Sequence, residues 1–163
     1  MEQVENVAKE LNRLYQEDNG GEYIGAMRLQ HLLYLVQRES FIRSNEPLLA
    51  ESFEGWKYGP VIPAVYEAYV HGTLFEGSAA DMSEEVRDMI RFVYERYKKL
   101  SPWKLSLVTH GAFSWKHARE GLTQDQNGSR PLELIDIRID ATREALRRRI
   151  DSAYALRTGK TIS

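Results

Sequence analysis

Four histidines, one serine–histidine–aspartate set and a dense run of aromatic rings are the residues whose types and spacing could do chemistry. With no cysteine in the chain, metal binding would fall to His31, His71, His110 and His117. His110 and His117 would share a helix face only on an unbroken helix, and Gly111 and the capping type of Ser114 argue against one. His31 has no His or Glu one turn away, and His71 falls at an expected helix end, where a charged imidazole suits the dipole. Zinc asks for three or four convergent ligands, so neither metal nor cofactor is expected. Ser106, His110 and Asp136 can be written as a triad, yet neither a G-x-S-x-G elbow nor a nucleophilic cysteine supports it. The stretches "GEYIGAM" and "NGS" lack the strand-to-helix context of a phosphate loop. The paired carboxylates Glu84 and Glu85 stand at a helix start, where the dipole already explains them. No catalytic residue is identified, and no enzymatic activity is expected.

The aromatics are the stronger signal. "FEGWKYGPVIPAVYEAY", residues 53–69, gathers Phe53, Trp56, Tyr58, Tyr66 and Tyr69 with two glycines and two prolines. A base-stacking platform interleaves aromatics with Lys and Arg, and here Lys57 is the sole base in the run. The density reads first as a core corner. Its exposed edges read as a protein-binding patch, for which Trp and Tyr are favoured anchors.

The elements that must position these rings follow from periodicity. Val4, Val7, Ala8, Leu11, Leu14 and Tyr15 space a first amphipathic helix that "DNGGE" stops. A second helix carries Leu29, Leu32, Leu33 and Val36 on one stripe, broadened by Tyr34 and Leu35, which marks it as central. Phe53 to Tyr58 reads as a short strand, Gly59-Pro60 as a turn, and Pro63 as the first residue of a helix that turns Val65, Tyr66, Tyr69 and Val70 inward. Ser83 and Ser101 are expected N-caps, the second followed by Pro102, and Ser114 is read as the cap of a short helix. "TQDQNGSRP" is loop, Leu132 to Ile135 a short strand, and a last helix starts near Ile137 or Asp140 and ends near Leu156. The expected fold is mainly α: a compact bundle of about six to seven helices with a small β element of one or two short strands, residues 1–163 forming a single domain.

Bulk numbers agree with such a domain. Apolar content is 42%, charged content 28% and net charge −2, ordinary for a soluble globular chain and unlike a dedicated nucleic-acid binder. The first fifteen residues carry charge throughout and lack the apolar core of a signal peptide. No apolar run approaches the roughly 20 residues of a membrane span. A cytoplasmic protein without a membrane partner is expected. Charge is uneven, because residues 138–160 hold seven bases against three acids. Within this basic helix, taken as residues 136–157, Glu144 with Arg148 and Arg147 with Asp151 are i,i+4 pairs, so a solvated face explains it best.

Taken in order, "MRLQHLLYLVQ", "EPLLAESFEGWKYGPVIPAVYEAY" and "MSEEVRDMIRFVYERYKKLSPWKLSLVTHGAFSWKHAREG" resemble the SocA-like antitoxin family, also called the Panacea domain. The resemblance covers about residues 24–121, and the W-K-Y-G-P-V-x-P-x-V-Y run carries most of it. The family's lysine in the second helix is His31 here, its proline before the second tryptophan is Ser114, and the arginine-rich tail differs from the usual ending. The resemblance implies a bacterial or phage protein that neutralises a cognate toxin, by direct binding or by delivering it as an adaptor to an ATP-dependent protease. It leaves a homodimer open. The reading is therefore a non-enzymatic binding module, with Trp56, Tyr58, Pro60, Tyr66, His110 and Trp115 as the partner surface. The alternative is a prophage regulator that meets nucleic acid through its basic final helix, with Arg147 and Arg148 as the contacts.

Overall fold

The computed structural model describes residues 1–161. Its helices and strands run in the order α1 (Val4–Asp18), α2 (Ala26–Ser44), β1 (Glu54–Trp56), β2 (Gly59–Val61), α3 (Pro63–Val70), α4 (Glu84–Tyr97), α5 (Pro102–His110), α6 (Phe113–Ala118) and α7 (Leu134–Thr158). This is a mainly α molecule with one small antiparallel sheet, in which Glu54 pairs with Val61 and Trp56 with Gly59.

Helix α2 is the axis. Leu29, Leu32, Leu33, Tyr34, Leu35 and Val36 are all buried, because helices α1, α4, α5 and α7 surround it. Burying each leucine contributes about 2 kcal/mol. Two polar residues on the same helix peg the non-helical chain to it. The Gln30 side chain accepts from Ile62 N at 3.0 Å, and Gln37 accepts from Leu48 N and Leu49 N at 2.9 Å. A buried amide is tolerated there because it satisfies backbone groups that no helix or strand would pair.

Local signals account for several boundaries. Ser83 Oγ accepts from Val86 N and Ser101 Oγ from Lys104 N, so both serines cap as the sequence indicates. Pro63 and Pro102 open their helices, where a missing N–H costs nothing.

Four local expectations need correction. The hairpin turn falls at Lys57 and Tyr58, while Gly59 and Pro60 belong to β2. Along α3, Val65 is buried but Tyr66 and Val70 face outward, since the helix is short and covers the core with one edge. Residues 132–135 form no strand, because α7 begins at Leu134, and Leu132 instead gives its N–H to the Phe53 carbonyl. Ser114 is not a cap. Ala112 precedes α6, whose first N–H groups are met from another helix by Asp140, which accepts from Phe113 N at 2.7 Å and from the Ser114 hydroxyl.

Candidate functional site

The hairpin, α3 and the start of α2 enclose an open pocket of about 340 Å³. Trp56, Tyr58, Pro60 and Tyr66 form its aromatic side, and Met27, Gln30 and His31 come from α2. Trp56 meets Tyr66 edge-on, with ring centroids 5.1 Å apart. Trp56 is half-buried, Pro60 buried, and Tyr58 and Tyr66 exposed. The stretch from Phe53 to Tyr69 is therefore both a core corner and a surface. Phe53 and Val65 supply the first, Tyr58 and Tyr66 the second.

His110 and Trp115 support the pocket wall from behind the hairpin. Their rings stack at 4.2 Å and 6°, and Trp115 Nε1 donates to the Trp56 carbonyl at 2.8 Å. Arg119 adds its guanidinium over the Trp115 ring and donates to the Gly55 carbonyl at 3.0 Å. It also donates to the carbonyls of Thr123 and Gln126. Through these bonds the loop after α6 folds back and brings Asn127 to the pocket rim.

Of the sequence-predicted contact residues, the structure brings Trp56, Tyr58, Pro60 and Tyr66 to one concavity. It places His110 and Trp115 beside that concavity and outside its lining. Met27, Gln30, His31, Lys57 and Asn127 also line the pocket, although the sequence did not mark them as contact residues. A Gln-His pair inside an otherwise apolar helix face was the available signal for two of them. Asn127 left no signal, since only the Arg119 bonds place it.

His31 gives the pocket its chemical character. The Thr109 hydroxyl donates to the Ser106 carbonyl, so the 3.0 Å contact between Thr109 Oγ1 and His31 Nδ1 requires the imidazole to donate. Nδ1 then holds the proton, and Nε2 is a buried acceptor without a protein partner. Burial, with the neighbouring His110 acting in the same direction, lowers the His31 pKa to about 4. The ring is neutral near pH 7. Burial also lowers the His110 pKa, against the opposing effect of the Tyr58 backbone.

The triad written from the sequence is not assembled. Ser106 Oγ donates to the Trp103 carbonyl, Asp136 pairs with His117 at 2.6 Å, and His110 stacks on Trp115. His71 contacts the Glu67 carbonyl within its own helix. The arginines of the proposed nucleic-acid contact are engaged by acids. Arg147 binds Glu144 and Asp151, and Arg148 reaches both Glu144 and Glu39. No helix among the described residues is long and apolar enough to cross a membrane.

The antitoxin SocA of Caulobacter vibrioides (strain NA1000 / CB15N) is 39% identical over 46 residues, which are 28% of this chain and 24% of that protein. The alignment thus spans about a quarter of that relative's length. No solved structure matches the chain. The sequence model described as "Antitoxin SocA-like, Panacea domain" matches residues 29–116. That segment is more than half of the chain and holds the aromatic side of the pocket, and on this match the chain belongs to the SocA-like antitoxin family with a Panacea domain.

Proposed function

We propose that the protein is a non-enzymatic antitoxin that neutralises a cognate toxin by direct binding, with the pocket between α2, the hairpin and α3 as the docking site. The observation that carries the reading is the coincidence of the family-matched segment with the aromatic side of that pocket. Trp56 and Tyr66 offer broad rings at low entropic cost, the usual composition of an interface anchor.

The site suits capture rather than chemistry. Its one buried titratable group, His31, is held neutral by burial, and the hydroxyl beside it, Thr109, donates to the Ser106 carbonyl. Release to an ATP-dependent protease would follow capture, so an adaptor role is a consequence of binding and not a separate site.

Co-expression with the product of the adjacent gene tests the proposal. Rescue of growth and co-purification are expected, with both lost in the paired variant Trp56→Ala and Tyr66→Ala. Truncating a central anchor costs roughly 2–4 kcal/mol of binding, or about 30-fold or more in affinity. The variant's thermal melt separates lost binding from lost fold. A fully folded variant that still rescues would remove the pocket from the mechanism. Rescue that disappears in a strain lacking the protease would show the adaptor route.

A further inference from the structure

Helix α7 has an outward face that the antitoxin reading does not use. From Arg138 to Arg157, the residues Leu146, Ile150 and Tyr154 fall with Arg138, Arg143, Arg149 and Arg157 in one sector, about 160° wide at 3.6 residues per turn. Leu146 and Ile150 are each more than half exposed, and Tyr154 is 40% exposed. No acidic residue from this stretch lies in that sector. Asp140, Glu144 and Asp151 all lie toward the core side.

Those acids are also engaged. Asp140 accepts from Tyr34 and α6, Glu144 gathers Arg38, Arg96, Arg147 and Arg148, and Asp151 meets Arg147. Among the described residues the outward arginines have no acidic partner. Arg138 and Arg143 rest on the rings of Phe41 and Phe113, and Arg149 and Arg157 make no ion pair or ring contact. A groove of about 310 Å³ in the seam between the end of α2 and α7, lined by Arg138, Leu146 and Arg149 together with Phe41 and Ala145, borders one edge of this face. Uncompensated cations interleaved with exposed aliphatic side chains are an arrangement that a complementary surface would satisfy on both counts.

We infer that the outward face of α7 docks an acidic amphipathic segment of a protein partner, a helix whose aliphatic stripe covers Leu146 and Ile150 while its carboxylates meet Arg149 and Arg157. Duplex phosphates would answer the arginines and leave the aliphatic side chains in water. A membrane-surface helix collects its apolar residues on one side and its cations on the other, whereas here both share one side. A second copy on a two-fold axis would bring this arginine-bearing face against itself. The face shares no residue with the aromatic pocket, so the inference stands or falls separately from the antitoxin reading.

Fluorescence anisotropy on the full chain provides the test. The probe is a labelled synthetic peptide of three heptads with Leu at the a and d positions and Glu at e and g, and its control carries Lys in place of Glu. The acidic probe is expected to bind, and the basic one not. Raising salt from about 50 to 300 mM should weaken the acidic complex about tenfold, because exposed charges are screened. The pair Arg149→Glu and Arg157→Glu should weaken it by at least about tenfold, and so should Leu146→Ser with Ile150→Ser. Unchanged melts would show that these exposed substitutions leave the fold intact. Trp56→Ala with Tyr66→Ala should leave probe binding unchanged. The inference is overturned if the acidic probe does not bind or if the variants bind it equally. Tighter binding to a duplex DNA or to anionic phosphatidylglycerol vesicles, or a self-association that the Leu146 and Ile150 changes abolish, would overturn it as well.

Discussion

At the scale of single residues, the environment of His31 sets the behaviour of the pocket. Gly59 approaches it so closely that a Cβ there would stand 2.5 Å from the imidazole Cε1, and its φ of +133° is a conformation that glycine adopts readily. The strand therefore closes directly over the ring and keeps water from it. Because its folded pKa lies near 4, below the value of about 6.5 in an unfolded chain, His31 adds stability above pH 6.5 that is lost as pH falls toward 4. The loss amounts to about 3 kcal/mol at most. His117 behaves oppositely. Its hydrogen bond to Asp136 raises its pKa, so its contribution is complete below about pH 6.5 and fades as pH rises through the raised value. A histidine NMR titration should show the His31 ring signals unmoved between about pH 5 and pH 8, while His117 titrates above its ordinary midpoint. A His31 midpoint near 6.5 would contradict the buried, singly bonded ring described above.

Helix α6 shows how one element borrows its stability from another. It runs only from Phe113 to Ala118, too short to persist alone. Asp140 of α7 accepts from its first N–H groups and from the Ser114 hydroxyl, and the same carboxylate accepts from Tyr34 of α2 at 2.6 Å. Burial and the facing carboxylate raise the Tyr34 pKa well above its ordinary value, so the phenol stays a donor. One carboxylate thus joins α2, α6 and α7, and α6 in turn carries Trp115 to the back of the pocket. Asp140→Ala should cost about 3 kcal/mol in urea unfolding, since it leaves a buried phenol, a hydroxyl and two N–H groups unpaired. Hydrogen exchange at Phe113 and Ser114 should rise more than exchange in α4. Equal acceleration everywhere would mean that α6 does not depend on this cap. The sequence marked Ser114 as the cap because its type is right. Only the approach of α7 shows that the helix takes its acceptor from 26 residues away.

Across the whole molecule, the basic final helix is two helices in one chemical sense. Its inner side is an ion-pair clamp. Burial alone would raise the Glu144 carboxyl, but Arg38, Arg147 and Arg148 together hold it below the usual range. Arg148 spans from Glu144 to Glu39 of α2 at 2.8 Å and so ties the last helix to the central one. Its outer side carries arginines without acids. Arg148 and Arg149 are adjacent in sequence, yet they should respond differently to the same change. Arg148→Glu should destabilise by about 3–5 kcal/mol, because it buries a third carboxylate beside Glu39 and Glu144. Arg149→Glu should leave the unfolding free energy in urea within about 0.5 kcal/mol of the parent. Equal effects would mean that the clamp is not what docks α7. The distinction was out of reach in the sequence, where "RRR" reads as one cluster.

Periodicity, proline placement and serine capping already determined in the sequence that this chain is a mainly α molecule built around the "MRLQHLLYLVQ" helix. These are local effects, decided within a turn or two of backbone. The aromatic run was equally visible, as was the family to which it belongs. Tertiary structure alone decided which rings face outward, that His31 closes the pocket as a neutral acceptor, that Asp140 caps a helix not its own, and which arginines are spent on acids. Each of these depends on groups tens of residues apart meeting at 2.7 to 3.7 Å, and burial and pairing at that range are set by packing rather than by neighbours along the chain.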